Sequence, residues 1–262
     1  MTNAALHVAR TGLDAQSERM RVIANNLANV NTTGFKRDRA SFETLAYQAM
    51  TAPGAASSAE NKYAIGKSLG TGVQMTGTAR IDSQGSLQTT GNSLDVAIEG
   101  NGYFQVTMPD GRIGYTRAGN FNLSAEGKLV TAEGMPVVPD ITVPEGAQTI
   151  TIGSDGTVSA TVPGQTEPSE LGKIETARFI NPAGLESLGN NLLGETAASG
   201  TPQTGAAGLD GRGAIRQGAL EGSNVNVVEE LVDMIETQRA YEVNSKMIKS
   251  TDEMLQFVNQ QF

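Results

Sequence analysis

The chain has 262 residues, of which 38% are apolar and 5% aromatic, with 31 Gly, no Trp and no Cys. That length allows one large or two modest domains, and sparse aromatics with abundant Gly favour turns and an extended shape over a thick core. A net charge of −9 argues against a nucleic-acid surface, and the lack of Cys excludes disulfides, thiol nucleophiles and cysteine metal sites. The opening MTNAALHVARTGLDA lacks the apolar run and cleavage site of a secretory signal, and no stretch approaches the roughly 20 apolar residues that span a bilayer. Alone, this favours a soluble cytoplasmic chain, although export without N-terminal cleavage would leave the same sequence.

The spacing predicts a first helix from near Asn3 to about Val30. Leu6, Leu13, Met20 and Leu27 recur every seventh position, flanked by Ala9, Ile23 and Val30, while Val8, Ala15 and Val22 sit on the opposite face. Asn25, Asn26, Asn29 and Asn31 crowd its end, and Thr32-Thr33-Gly34 stops it. Those Asn residues either terminate the helix or, as Asn25 and Asn26, hydrogen-bond across helices and fix register. The basic run Lys36-Arg37-Asp38-Arg39 reads as a solvated or salt-bridged helix end.

Residues 35–50 are ambiguous between helix and extended chain, and 51–76, with Pro53-Gly54 and several small residues, read as a flexible loop or linker. From about Arg80 to Asn181 the pattern is β. Leu94 to Ile98 alternates, Tyr103–Met108 meets Arg112–Arg117, Asn120–Ser124 meets Lys128–Thr131, and Thr149–Ile152 meets Thr157–Val162. Asp-Gly and Glu-Gly turns separate these runs, so antiparallel hairpins are expected. Lys173–Ile180 reads as one more strand and 184–213 as loop.

The last helix is entered through Gly222-Ser223-Asn224-Val225-Asn226, with Asn226 and Glu229 spaced as a capping box. Val227, Met234, Tyr241, Ile248, Leu255 and Phe262 repeat every seven residues, and Leu231 and Ile235 widen the stripe. Ala240, Val243, Met247, Met254 and Val258 lie opposite. A helix apolar on two faces wants neighbours on both. Either the extra apolar residues pack on the chain's own globular part, or, the preferred reading, they meet other copies and order only on assembly. Arg10, Arg19, Arg21 and Lys36 to Arg39 near the first helix oppose Glu229, Glu230, Asp233, Glu236 and Glu242 on the last.

The expected class is therefore α+β: terminal helices paired as a coiled coil (1–35 with 223–262), an extended linker region (36–76 with 210–222) and a central all-β domain (77–209). Catalytic chemistry is scarcely represented. A single histidine, His7, lies inside the first helix, excluding multi-His metal sites and His-based triads in the β region. Gly211-Arg212-Gly213 starts like a dinucleotide fingerprint, but position 216 is Arg and no βαβ pattern surrounds it. Asp110, Glu126 and Asp155 could pair as glycosidase carboxylates, yet each precedes a turn Gly and has a structural reason to be there. No cofactor or metal is expected.

Ile23-Ala-Asn-Asn-Leu-Ala-Asn-Val-Asn-Thr-Thr-Gly-Phe-Lys36 resembles the N-terminal signature of the bacterial flagellar rod and hook proteins. Ser223-Asn-Val-Asn-Val-Val-Glu-Glu-Leu231 and Thr237-Gln-Arg-Ala-Tyr241 resemble the C-terminal one, and residues 85–92 and 97–104 the shared β domain. The length and the segment Tyr47–Ser58 are most similar to distal-rod members, in which that segment is associated with a straight shaft. The resemblance implies a structural subunit, present in many copies, whose terminal helices (Leu6, Leu13, Met20, Ile23, Leu27; Val227, Leu231, Met234, Ile235, Tyr241, Ile248, Leu255) form an inner tube. Asn25, Asn26, Asn29, Thr33, Gly34, Phe35, Asn224, Asn226 and Arg239 are its register and signature positions, and Tyr47, Met50, Tyr63, Ile65 and Leu69 the anchors of the rigidity segment. Implied partners are proximal rod proteins, the hook protein, ring proteins acting as a bushing and the flagellar type III export apparatus, with a periplasmic location and no cleaved signal. No nucleic acid and no direct membrane insertion are implied. A proximal-rod or hook paralogue, or a periplasmic peptidoglycan-acting enzyme, is the second reading.

Overall fold

A computed structural model describes residues 2–54, 63–162 and 168–261, with the side chains of Thr2, Asn3, Leu255 and 258–261 outside the description. The expectations placed on Leu255, Val258 and Phe262 therefore lie outside the described residues. The chain divides into two compact units, one of residues 1–27, 38–79 and 226–262 and one of residues 28–37 and 80–225.

The first unit is built on two helices. Helix α1 (Thr2–Ala28, 27 residues) has no Pro, one Gly and a predominance of Ala, Leu, Arg and Met, so it propagates until Asn residues and the turn after Ala28 end it. Helix α2 (Val227–Gln261, 35 residues) starts under the Asn226 side chain, whose Oδ1 accepts the Val228 N–H at 3.1 Å. Between them in sequence runs a two-stranded ribbon. Asp38–Thr44 pairs with Val73–Arg80, and Tyr47–Thr51 pairs antiparallel with Lys67–Gly70, Tyr47 opposite Gly70. The ribbon touches α1 where Thr11 Oγ1 accepts the Val73 N–H, and a Cβ on Gly72 would sit 2.1 Å from that hydroxyl. The ribbon differs from the loop expected over 51–76. Its strands are too short and too exposed to alternate visibly, and pairing rather than burial defines them.

The second unit is β throughout. Its largest sheet has six antiparallel strands in the order Glu186–Gly189, Leu192–Gly194, Ile113–Thr116, Tyr103–Thr107, Glu175–Arg178, Gln203–Ala206. A three-stranded sheet joins Thr149–Ile152, Thr157–Thr161 and Ser169–Lys173. Phe104 and Phe121 meet edge to face at 5.1 Å in the main core with Val96, Ile98, Val106, Val137 and Ile174, while Tyr103, Tyr115 and Phe179 form a second cluster. Each such aromatic buries enough apolar surface to stabilise the unit by about 2–3 kcal/mol.

Two expectations are corrected. Residues 184–213 are not loop, since three strands lie there, fixed by the buried Leu185, Leu192 and Leu193. The linker expected at 210–222 carries Ala214–Gln217, paired with Val96–Glu99, and Ala219–Glu221, paired with Leu87–Thr89. The strand expected at 173–180 is present as Glu175–Arg178. The wholly buried Ile174, whose N–H turns to Gly156 O, separates it from Ser169–Lys173, so the two strands join different sheets.

The turn carboxylates act locally. Asp110 accepts from the Arg112 N–H and Nε, and Asp155 from the Thr157 N–H and hydroxyl and from Lys173 Nζ at 2.9 Å. The Lys173 ammonium and the Thr157 bonds hold the Asp155 carboxyl far below the usual carboxylate range. Because the folded state depresses this pKa, its stabilisation is present above the unfolded value of about 3.9 and is lost as pH falls. Acid titration of the Asp155→Asn variant should accordingly show a shallower loss of stability below about pH 4 than the parent chain. Equal slopes would show that the turn does not couple to folding.

Candidate assembly interface

Helices α1 and α2 run antiparallel. Asn26 Nδ2 donates to the Glu230 carboxylate at 3.2 Å, Arg19 Nη2 to Asp233 Oδ1 at 3.3 Å, and a Cβ on Gly12 would lie 3.0 Å from Asn244 Nδ2. On α1 these contacts fall at 12, 19 and 26, seven apart, and on α2 the buried Glu230 and Thr237 and the half-buried Asn244 are also seven apart. The helix–helix seam within one chain is therefore polar and small. It sits three residues away from the apolar repeat at 227, 234, 241 and 248.

On α2 the large apolar residues are left outside that seam. Leu231 is 43% exposed and Ile235 50%, Val227 and Tyr241 are exposed, and Met234 and Ile248 are half-buried at the seam's flank. On the other face Val243, Met247, Met254 and Phe257 are exposed and Ala240 is half-buried. On α1, Ile23 is buried, as are Ala9 and Ala15, while Leu6, Leu13, Met20 and Leu27 are half-buried. Among the opposed charges of the two helices Arg19 pairs with Asp233, and at more than a third exposed on each side this pair adds at most about 1 kcal/mol. Arg239 is exposed.

The Asn residues divide. Asn26 is buried, its Oδ1 accepting the Asp38 N–H and its Nδ2 donating to Asp38 O and to Glu230, so it joins α1, the first ribbon strand and α2. Asn25 and Asn226 are exposed and Asn29 is half-buried in the turn after α1, where its Oδ1 accepts the Thr32 hydroxyl. The remaining signature residues belong to the β unit. Gly34 takes φ +71°, and a Cβ there would lie 2.7 Å from the backbone of Arg117 and Ala118, so no other residue fits. Thr33 O accepts from Asn191, and Phe35 is half-buried.

The sequence reading missed a buried charge cluster in the β unit. Lys36, expected as solvated or at a helix end, is buried eight residues beyond α1, with Nζ 2.5 Å from Glu221 Oε1 and 2.8 Å from Ser83 O. Glu221 is 0% exposed, and its other oxygen accepts from Arg117 Nη1 at 3.2 Å. The Arg117 guanidinium lies 5.3 Å from the Tyr103 ring centre. Burial pulls the Lys36 ammonium below the ordinary lysine range, with Glu221 opposing. Burial and Glu195 push the Tyr115 hydroxyl up to about 12. A Lys in a basic run and a Glu in a Gly-rich stretch give no local sign of pairing across 185 positions.

Tyr47, Met50, Tyr63, Ile65 and Leu69 are all exposed, Ile65 by 84%. Among the described residues no group of His, Asp and Glu could hold a metal ion, and no helix is long and apolar enough to cross a membrane.

Family models match three stretches of the chain. Residues 6–36 match the flagella basal body rod protein model, 97–160 the flagellar hook protein FlgE/F/G D1 domain, and 216–261 the flagellar basal body rod FlgEFG protein C-terminal model. The chain is 53% identical to the flagellar basal-body rod protein FlgG of Buchnera aphidicola from Schizaphis graminum, over 98% of each chain. Identity is 47% to the FlgG of Borreliella burgdorferi over 97% of each, and 35% to the flagellar basal-body rod protein FlgF of Caulobacter vibrioides over 95% of this chain and 94% of that one. Matches at both helices and in the β unit, and identity this high from end to end, place the chain in the flagellar rod and hook protein family, most like its distal-rod members.

Proposed function

We propose that this chain, a non-enzymatic structural subunit of the flagellar distal rod, polymerises through α1 and α2 into a hollow helical shaft that transmits torque and passes exported subunits. The observation that supports this most is the mismatch along α2. Small and polar side chains make the intrachain seam, while Leu231, Ile235, Val243 and Met247 stay exposed. Large apolar side chains left in water on two faces of one helix call for neighbours on both. In the shaft these residues pack on helices of neighbouring copies as a coiled coil, with Leu6, Leu13, Met20, Leu27, Met234, Tyr241 and Ile248 closing the tube. Proximal rod proteins and the hook protein continue it axially, ring proteins surround it as a bushing, and the subunit reaches the periplasm through the flagellar type III apparatus with its N-terminus uncleaved. Electron microscopy of the purified chain after polymerisation should show straight hollow filaments. Chains that stay monomeric at every concentration would defeat the reading.

The ribbon carries the rigidity. Tyr47, Met50, Tyr63, Ile65 and Leu69 are exposed anchors on or beside paired strands, and lateral contacts between copies at these points would oppose the sliding that lets a tube bend. Deleting Thr51 to Ser68 should therefore give filaments that still form but curve. Straight filaments from the deletion would place rigidity elsewhere, and loss of all assembly would make the ribbon part of the lattice itself.

A further inference from the structure

The turn after α1 and the approach to α2 are fastened to each other inside the β unit. Asn224 does this with both ends of its side-chain amide and with its backbone N–H. Its Oδ1 accepts the Arg37 N–H at 2.7 Å, its Nδ2 donates to Ile81 O at 2.7 Å and Ser83 O at 3.1 Å, and its backbone N–H reaches Phe35 O. Ile81 N–H in turn donates to Arg37 O. Glu221 adds a second fastening three residues earlier: its side chain takes Lys36 and the Gly85 N–H, and its backbone oxygen takes the Gly34 N–H at 2.7 Å. Three stretches far apart in sequence, 34–37, 81–85 and 221–224, are thus held by two side chains.

Joining residue 37 to residue 224 closes a loop of about 190 residues, an entropic cost that grows as the logarithm of loop length and is met here by contacts wholly within the β unit. That closure does not depend on whether α1 and α2 are themselves formed. Once made, it leaves α2 starting three residues from the fastening and α1 ending six residues before Gly34. Each helix then sees its own partner at the effective concentration of a short tether, in the millimolar range. In a polymer of identical helices, that difference decides which α1 pairs with which α2.

We propose that Asn224 and Glu221 form a latch that tethers the two helices of one subunit before assembly, so that α1 selects the α2 of its own chain. The proposal rests on the reading that the subunit assembles through these helices, but its test does not need the polymer. Because the chain has no Cys, Gly12→Cys with Asn244→Cys places a single reporter pair where the helices face each other closely. Dilute full-length monomer is mixed with isotopically labelled chain and oxidised, and intrachain and interchain disulfides are counted by mass spectrometry. With the latch intact, intrachain disulfides should dominate by at least about tenfold, and hydrogen exchange should show the Arg37 and Ile81 amides protected in the monomer. Adding Asn224→Ala should remove that protection, leave the Phe104 to Val106 strand protected, and lower the intrachain-to-interchain ratio severalfold, the rest being kept by the Glu221 fastening and the covalent chain. If Asn224→Ala does not fold, Asn224→Asp, which keeps the acceptor for Arg37 and loses both donors, should give an intermediate ratio. An unchanged ratio in a folded variant, or unprotected Arg37 and Ile81 amides in the parent monomer, would overturn the latch. A parent protein that is protected and crosslinks within its chain yet never polymerises would overturn the assembly reading instead.

Discussion

Leu231→Asp should leave the subunit folded and abolish its polymerisation. In the single chain Leu231 is 43% exposed, so an aspartate there meets water and shifts stability by no more than about 0.5 kcal/mol. In the shaft proposed above the same position would face another helix, and an unpaired carboxylate buried there costs roughly 3 kcal/mol or more. At 1.4 kcal/mol for each factor of ten, the concentration needed for assembly rises at least about 100-fold. Ile248→Asp should behave alike on assembly but weaken the monomer more, because Ile248 is half-buried beside the intrachain seam. Circular dichroism with sedimentation separates the two effects. Normal filaments from Leu231→Asp at parental concentration would mean that the exposed face of α2 is not the contact.

Glu221→Leu is expected to be the most damaging single change to the β unit. It leaves the Lys36 ammonium and the Arg117 guanidinium facing each other with side chains 3% and 4% exposed, and strips partners from the Gly85 N–H as well. Breaking a buried ion pair from one side typically costs about 3–5 kcal/mol. A domain of ordinary stability has about 5–15 kcal/mol in all. Lys36→Met should cost less, since Glu221 keeps Arg117 and the Gly85 amide and the methionine stem fills the lysine's space. Urea midpoints of the two variants give the order directly. A Lys36→Met variant weaker than Glu221→Leu would show that Lys36 packing, and not the charge of Glu221, holds the cluster.

Legibility followed the range of the interaction. The helices were readable because spacing within one segment encodes them, and α1 and α2 begin and end within a few residues of the expected positions. The Asp110-Gly111 and Asp155-Gly156 turns were readable because the residue that makes the turn is in the turn. What escaped notice was pairing at long range: Leu87–Thr89 with Ala219–Glu221, Val96–Glu99 with Ala214–Gln217, and Lys36 with Glu221. In each of these one partner lies in a short Gly-rich stretch whose composition reads as loop. The helix seam was missed for another reason. Hydrophobic periodicity finds apolar residues, and on α2 most of these stay exposed in the single chain, while Glu230, Thr237 and Asn244 serve the chain's own contact.

The β unit is discontinuous, holding residues 28–37 at one end of the chain and strands as late as Ala219–Glu221 at the other. The strand pairs that complete it are among the most distant in the sequence, and distant pairings form slowly because loop closure precedes any reward. A chain emerging from its N-terminus through a narrow passage has no partner for Leu87–Thr89 or Lys36 until more than four-fifths of its length is out. The order of the strands is thus a timer: the β unit cannot close until its last strands are present, however early its other pairs form.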